Sequence, residues 1–199
     1  MINNMKTQKD NISNGVNNKK IILGLTGEIC AGKGTIVKYL EKTHNATSYR
    51  FSTMLRDLLG RIYLPVAREN MQFMSTAIRQ YFGEDIMAKV IAEDVKNDKN
   101  NIVVVDGVRR SADIKYLREV QGFKLVSIVA EPKTRFKRLI LRKENPGDEN
   151  KTYEEFLADH KKEADAQVPI VMEKADLEIN NNGSLEDLYK QVDQIVLNS

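Results

Sequence analysis

Ile21-Ile22-Leu23-Gly24-Leu25-Thr26-Gly27-Glu28-Ile29-Cys30-Ala31-Gly32-Lys33-Gly34-Thr35 decides the fold of this chain. It begins as an apolar run of strand type and turns through Gly27, Ala31, Gly32 and Gly34. It leaves as Thr35-Ile36-Val37-Lys38-Tyr39-Leu40, with the apolar spacing of a helix. Glycines let consecutive backbone N–H groups turn toward an anion, because no Cβ blocks the approach. The helix that follows aims its positive end at the same point. The stretch predicts a phosphate cradle made of Gly27, Ala31, Gly32, Lys33, Gly34 and Thr35. In it Lys33 reaches β- and γ-phosphates and a hydroxyl ligates Mg²⁺. Against the pattern G-x-x-x-x-G-K-[ST], Gly34 takes the hydroxyl slot and Thr35 stands one place later.

Outward from this loop, strand-like and helix-like runs alternate. Helices are expected over 35–44, 52–64 with Ser52 or Thr53 as cap, 68–82 ended by Gly83, 84–97, 111–121, 133–143, 153–167 and 184–196. Strands are expected over 46–51, 102–105, 123–130 and 176–179. Ile102-Val103-Val104-Val105 is a continuous β-branched run, as in a strand buried on both faces. Leu55, Leu58, Leu59 and Ile62 mark one apolar face of the 52–64 helix, and Tyr63, Phe73 and Phe82 either pack in the core, the preferred reading, or clasp a base in the acceptor region. The fold class is therefore α/β: a three-layer P-loop NTPase fold, a five-stranded parallel sheet with helices on both faces. Ligands of such sheets bind beyond the carboxyl ends of the strands, which gathers the loop, 52–56 and 106–110 at one edge.

The 199 residues suit a single domain over 20–199, after a polar Asn-rich segment 1–19 read as a disordered tail. Asn-rich stretches recur at 97–101 and 180–182 and are read as compositional bias. A charged fraction of 30%, 41% hydrophobic residues and a net charge of +3 describe a globular protein rather than a nucleic-acid binder. No apolar run approaches the ~20 residues of a membrane span. Cys30 is the only cysteine, which excludes an internal disulfide and agrees with a cytoplasmic setting.

Asp106 ends the β-branched run and is placed to hold Mg²⁺ with Thr35. Arg56, Arg109, Arg138 and Arg142 are candidate phosphate ligands, since a guanidinium fork grips phosphate oxygens and stays charged at any working pH. Arg135 is read as part of a solvated, salt-bridged face, and Glu28 as a solvated loop residue. An acceptor phosphate is already ionised near neutral pH, whereas a hydroxyl acceptor calls for a nearby carboxylate to take its proton.

Several of these segments resemble nucleoside monophosphate kinases, adenylate kinase above all. The G-K-G-T ending of the loop is similar to theirs, and Ser52-Thr53-Met54-Leu55-Arg56 resembles the segment whose arginine binds the acceptor phosphate. Asp106-Gly107-Val108-Arg109 resembles the element whose aspartate serves Mg²⁺ and whose arginine grips the acceptor. Glu131-Pro132 with Arg138 and Arg142 resembles the helix that carries donor-binding arginines. Gly24-Leu25-Thr26-Gly27 looks more like dephospho-CoA kinase, and the segment 105–114 also resembles phosphomevalonate kinase of the animal type and phage deoxynucleoside monophosphate kinases. The resemblance implies ATP as donor, Mg²⁺ as cofactor and a small phosphorylated acceptor, in a monomer or small homo-oligomer. It implies catalytic roles for Lys33, Asp106, Arg109 and Arg142, donor contacts from Arg138 and acceptor contacts from Arg56 and Arg109. Asp113 stands where the family's base-reading glutamine falls; it either reads a different acceptor base or lies exposed in a first helical turn. The long arginine-bearing lid is absent, leaving 143–151 as a short lid and 61–83 as helices that cover the acceptor.

Overall fold

Five segments of the described residues become strands, the three inner ones apolar: β1 (Ile21–Thr26), β2 (Thr47–Arg50), β3 (Ile102–Asp106), β4 (Phe123–Val129) and β5 (Leu177–Asn180). All pair in parallel, in the order β2-β3-β1-β4-β5. β1 is central and buried from Ile22 to Thr26. Its neighbours β3 and β4 carry the Val and Ile that a sheet covered on both faces requires. The register sets Leu25 beside both Asp106 and Val126, and Arg50 beside Asp106. These pairings fix which residues meet at the carboxyl edge.

The structure is a computed structural model that describes residues 20–142, 148–159 and 166–199. The expected tail 1–19, most of the expected lid 143–151 and the Lys161-Lys162 pair, the other basic segment available to cover the site, lie outside the described residues. Among those described, nine helices surround the sheet: α1 (Lys33–His44), α2 (Thr53–Arg61), α3 (Arg68–Phe82), α4 (Ile86–Asn97), α5 (Ser111–Leu117), α6 (Pro132–Arg142), α7 (Tyr153–Asp159), α8 (Val168–Met172) and α9 (Leu185–Leu197). On one face Ile36, Val37 and Leu40 of α1 and Leu188 and Val192 of α9 pack on Leu23, Leu25, Val126 and Ile128. On the other, Ile91 and Val95 of α4, Ile114 and Leu117 of α5 and Val171 of α8 pack on Ile22, Val103, Val105 and Leu125. Alternate residues of each strand feed opposite cores, so the three layers follow from the period of two. None of the described helices is long and apolar enough to cross a membrane.

Four expectations are corrected. The helix expected over 52–64 stops at Arg61, before Pro65. Tyr63 takes a left-handed conformation (φ 59°) and its N–H bonds Gly60 O. On α2 only Leu55 and Leu59 are buried; Leu58 and Ile62 are exposed, as are Tyr63, Phe73 and Phe82, which were expected in the core. α5 ends at Leu117 rather than 121, where the chain turns tightly toward β4. α7 begins at Tyr153, where the helix expected over 153–167 begins, residues 160–165 of that span lying outside the described ones; α8 is a further helix not expected from the sequence, with Pro169 in its first turn, where its missing N–H costs nothing.

Candidate nucleotide site

The loop after β1 is shaped from behind. Gly27 sits at φ 150°, and a Cβ there would lie 2.7 Å from Ile128 O of β4. Gly32 sits at φ 110°, with the Asn181 amide so close that any Cβ would collide with it. At Gly34 a Cβ would meet nothing within 4 Å, so the loop is closed toward the sheet and open at the start of α1. Lys33 Nζ donates to Gly27 O (2.5 Å) and Glu28 O (3.0 Å), which holds the ammonium over the loop. Gly32 caps α1 without a side-chain hydrogen bond, and the first turn of α1 carries no acidic residue. The positive end of the helix is therefore left uncompensated, as an anion site requires.

Two side chains whose contribution the sequence did not reveal hold this loop. Arg135 is 2% exposed, against its reading as a solvated residue. Its guanidinium pairs with Glu28 of the loop (2.9 Å), donates to Ala130 O (3.0 Å) and lies over the Phe156 ring (5.5 Å). Glu28 is thereby a paired residue, not a solvated one. A signal was present: Arg135 stands four residues before buried Leu139, on the same face of α6. Asn181, read as part of an Asn-rich bias, is 4% exposed, and its Nδ2 donates to Ala31 O (2.7 Å). Asn181 O and Oδ1 both accept from Arg138 Nη2 (2.8 and 3.3 Å), while Arg138 Nη1 is buried without a hydrogen-bond partner among the described residues.

At the neighbouring strand end, Asp106 is mostly buried and pairs with Arg50 Nε (3.2 Å). Val108 N donates to Leu25 O (3.1 Å), which folds the segment bearing Arg109 against the end of β1. Arg109 is exposed there, and Arg56 is exposed in the first turn of α2. Asp113 is in the first turn of α5 but buried rather than exposed, and its Oδ2 accepts from the N–H groups of Arg109 (3.0 Å) and Arg110 (2.9 Å). Burial pushes its carboxyl above the usual range, against the opposing pull of those amides and of Arg110 and Arg79. Arg142 lies exposed one turn beyond Arg138 on α6. No cluster of three His, Cys, Asp or Glu able to hold a metal occurs among the described residues. The hydroxyl of Thr35 and the carboxylate of Asp106 suit Mg²⁺ only in company with phosphate oxygens, the usual manner of that ion.

A glycine loop ending in lysine at the head of an uncapped helix, on a parallel sheet of this order, defines a P-loop nucleotide-binding protein of kinase-like fold. The chain belongs to the AAA domain family, which matches residues 23–159, and to the UPF0200 proteins. It is 30% identical over 170 residues to the UPF0200 protein of Staphylothermus marinus, covering 85% of this chain and 86% of that one. The fold is similar to shikimate kinase from Bacteroides thetaiotaomicron (TM-score 0.59, 16% identity, 90% of this chain and 99% of that one). It is also similar to shikimate kinase from Acinetobacter baumannii in complex with shikimate (TM-score 0.56, 16% identity, 91% and 95%). These comparisons carry a P-loop fold of kinase-like form, and not adenylate kinase or dephospho-CoA kinase in particular.

Proposed function

We propose that this protein is an ATP-dependent phosphotransferase that moves the γ-phosphoryl group of ATP to the phosphate of a nucleoside or deoxynucleoside monophosphate. The observation that carries the donor half is the uncapped, acid-free start of α1 behind the glycine loop, with Lys33 held over it. In this reading the amides of residues 27–35 and Lys33 hold the β- and γ-phosphates, and Arg138 turns its buried Nη1 to the donor. Thr35 and Asp106 would hold Mg²⁺, which when bound neutralises charge on the transferred group. Arg56 and Arg109 hold the acceptor phosphate, Arg142 neutralises charge on the transferring group, and the helices over 61–83 cover the acceptor. Phosphoryl transfer asks mainly for positioning and charge neutralisation, which a set of arginines supplies.

The carboxylates at this edge support a phosphate acceptor. A hydroxyl acceptor calls for a carboxylate to take its proton, whereas a phosphate is already ionised near neutral pH. Glu28 is paired with Arg135, Asp106 with Arg50, and Asp113 with two amides, so each of the three already serves a cation or N–H group. A coupled assay with Mg·ATP against a panel of nucleoside monophosphates, dephospho-CoA, phosphomevalonate and shikimate tests the proposal. Turnover with one or more monophosphates is expected. Turnover only with a hydroxyl acceptor overturns the acceptor assignment, and ATP binding without transfer to any member of the panel marks a non-catalytic nucleotide-binding module.

A further inference from the structure

We infer that Asn181 is a positioning residue for the phosphoryl donor, fixing the loop amides and Arg138 so that both face one triphosphate. The inference rests on the donor site proposed above. The C=O of Ala31 and the N–H of Gly32 belong to one peptide unit, and in a planar trans peptide they point in opposite directions. Asn181 Nδ2 binds Ala31 O from the sheet side at 2.7 Å. The Gly32 N–H is thereby turned to the other side of the loop, where an anion would lie. Close packing of the Asn181 amide against the Gly32 Cα leaves the peptide no room to flip back.

The same side chain reaches the other half of the donor site. Arg138 Nη2 is spent on Asn181 O and Oδ1, which leaves the buried Nη1 as a donor in a fixed direction. Asn181 is itself rigid, because its own N–H donates to Val129 O (2.8 Å) and continues the pairing of β5 with β4. Next to it, Asn182 Oδ1 accepts from Glu131 N (2.7 Å) at the root of α6. Only a side chain that both donates and accepts serves Ala31 O and Arg138 at once; an amide does so and a carboxylate does not.

Asn181→Asp separates these functions. It keeps size and the Arg138 contact, but sets a carboxylate oxygen against Ala31 O. Titration with Mg·ATP, followed by calorimetry, is expected to give binding about 10- to 100-fold weaker than wild type. The acceptor KM is expected to stay within about twofold, a split that a loss of general packing would not produce. Asn181→Ala, which removes the Nδ2 contact to Ala31 O and the Oδ1 contact to Arg138 without adding charge and keeps the main-chain carbonyl on Arg138, is the second variant and is expected to show the same donor-only loss. In combination with Arg138→Ala its effect on ATP affinity is expected to be less than additive. Unchanged ATP affinity in both variants overturns the inference while leaving the kinase reading in place, and so does a matched rise of donor and acceptor KM. Wild-type protein that fails to bind ATP overturns both.

Discussion

At Arg135 a guanidinium is buried beside the nucleotide loop, and burial lowers its pKa against the pull of Glu28. Glu28→Gln strands that cation. Because the Ala130 and Ile29 carbonyls still accept from it, the expected loss is at the lower end for a broken buried pair, about 3 kcal/mol. Urea unfolding of the variant checks this, and a loss below about 1 kcal/mol contradicts the role given to the pair. Lys33→Met is expected to leave the urea midpoint unchanged while cutting turnover about 100-fold or more; wild-type rates would remove Lys33 from the site. The loop was legible in the sequence because its spacing is a geometric demand of phosphate binding. Arg135 and Asn181 were not, because residue type alone argued for solvent: an arginine on a basic helix and an asparagine in an Asn run. For Arg135 the spacing to Leu139 weakens that prior, but for Asn181 only contacts made by distant segments reverse it.

Among the elements, β1, α1, α3 and β3 form where hydrophobic period and terminal glycines agree, and α3 runs from Arg68 to Phe82 as the sequence predicts. β5 is different. It is a short edge strand with only Ile179 buried, so it has little packing to hold it. Asp176 supplies the hold: its Oδ2 accepts from Leu125 N (2.7 Å), and Oδ1 pairs with Arg118 (3.0 Å). Burial alone would raise this carboxyl, but the Leu125 amide and the Arg118 guanidinium outweigh it and hold the pKa below the usual range. A carboxylate held low stabilises the fold fully above its unfolded pKa of about 3.9 and loses that effect as pH falls through the native value. Asp176→Asn is therefore expected to melt a few degrees below wild type at neutral pH, with the gap closing under acid conditions. A gap independent of pH would show that charge is not what anchors β5.

For the whole molecule, the exposed apolar residues concentrate in one place. None of the described side chains of α3 is buried, and Phe73 is 73% and Tyr63 88% exposed. The period of α3 predicts the helix correctly and its aromatic environment wrongly, because an amphipathic period says that a face seeks a partner without saying which. The partner proposed is the bound acceptor, over which the 61–83 segment closes. Hydrogen exchange in that segment is expected to slow when a non-hydrolysable ATP analogue and a monophosphate are added together, with β1 and β3 unaffected. Exchange that ignores both ligands would end the cover role.

Lys20 carries a practical consequence of this topology. Its ammonium is clamped by Val95 O and Asp98 O (2.6 Å each) at the foot of α4, where β1 begins. Leu197 lies at the same pole, since α9 runs back from the nucleotide edge and His44, at the far end of α1, meets Asp193 (2.7 Å). An affinity handle or surface tether joined at Lys20 or at Leu197 starts from the pole opposite the glycine loop, so the protein is suited to immobilisation with its glycine-loop rim facing the solution.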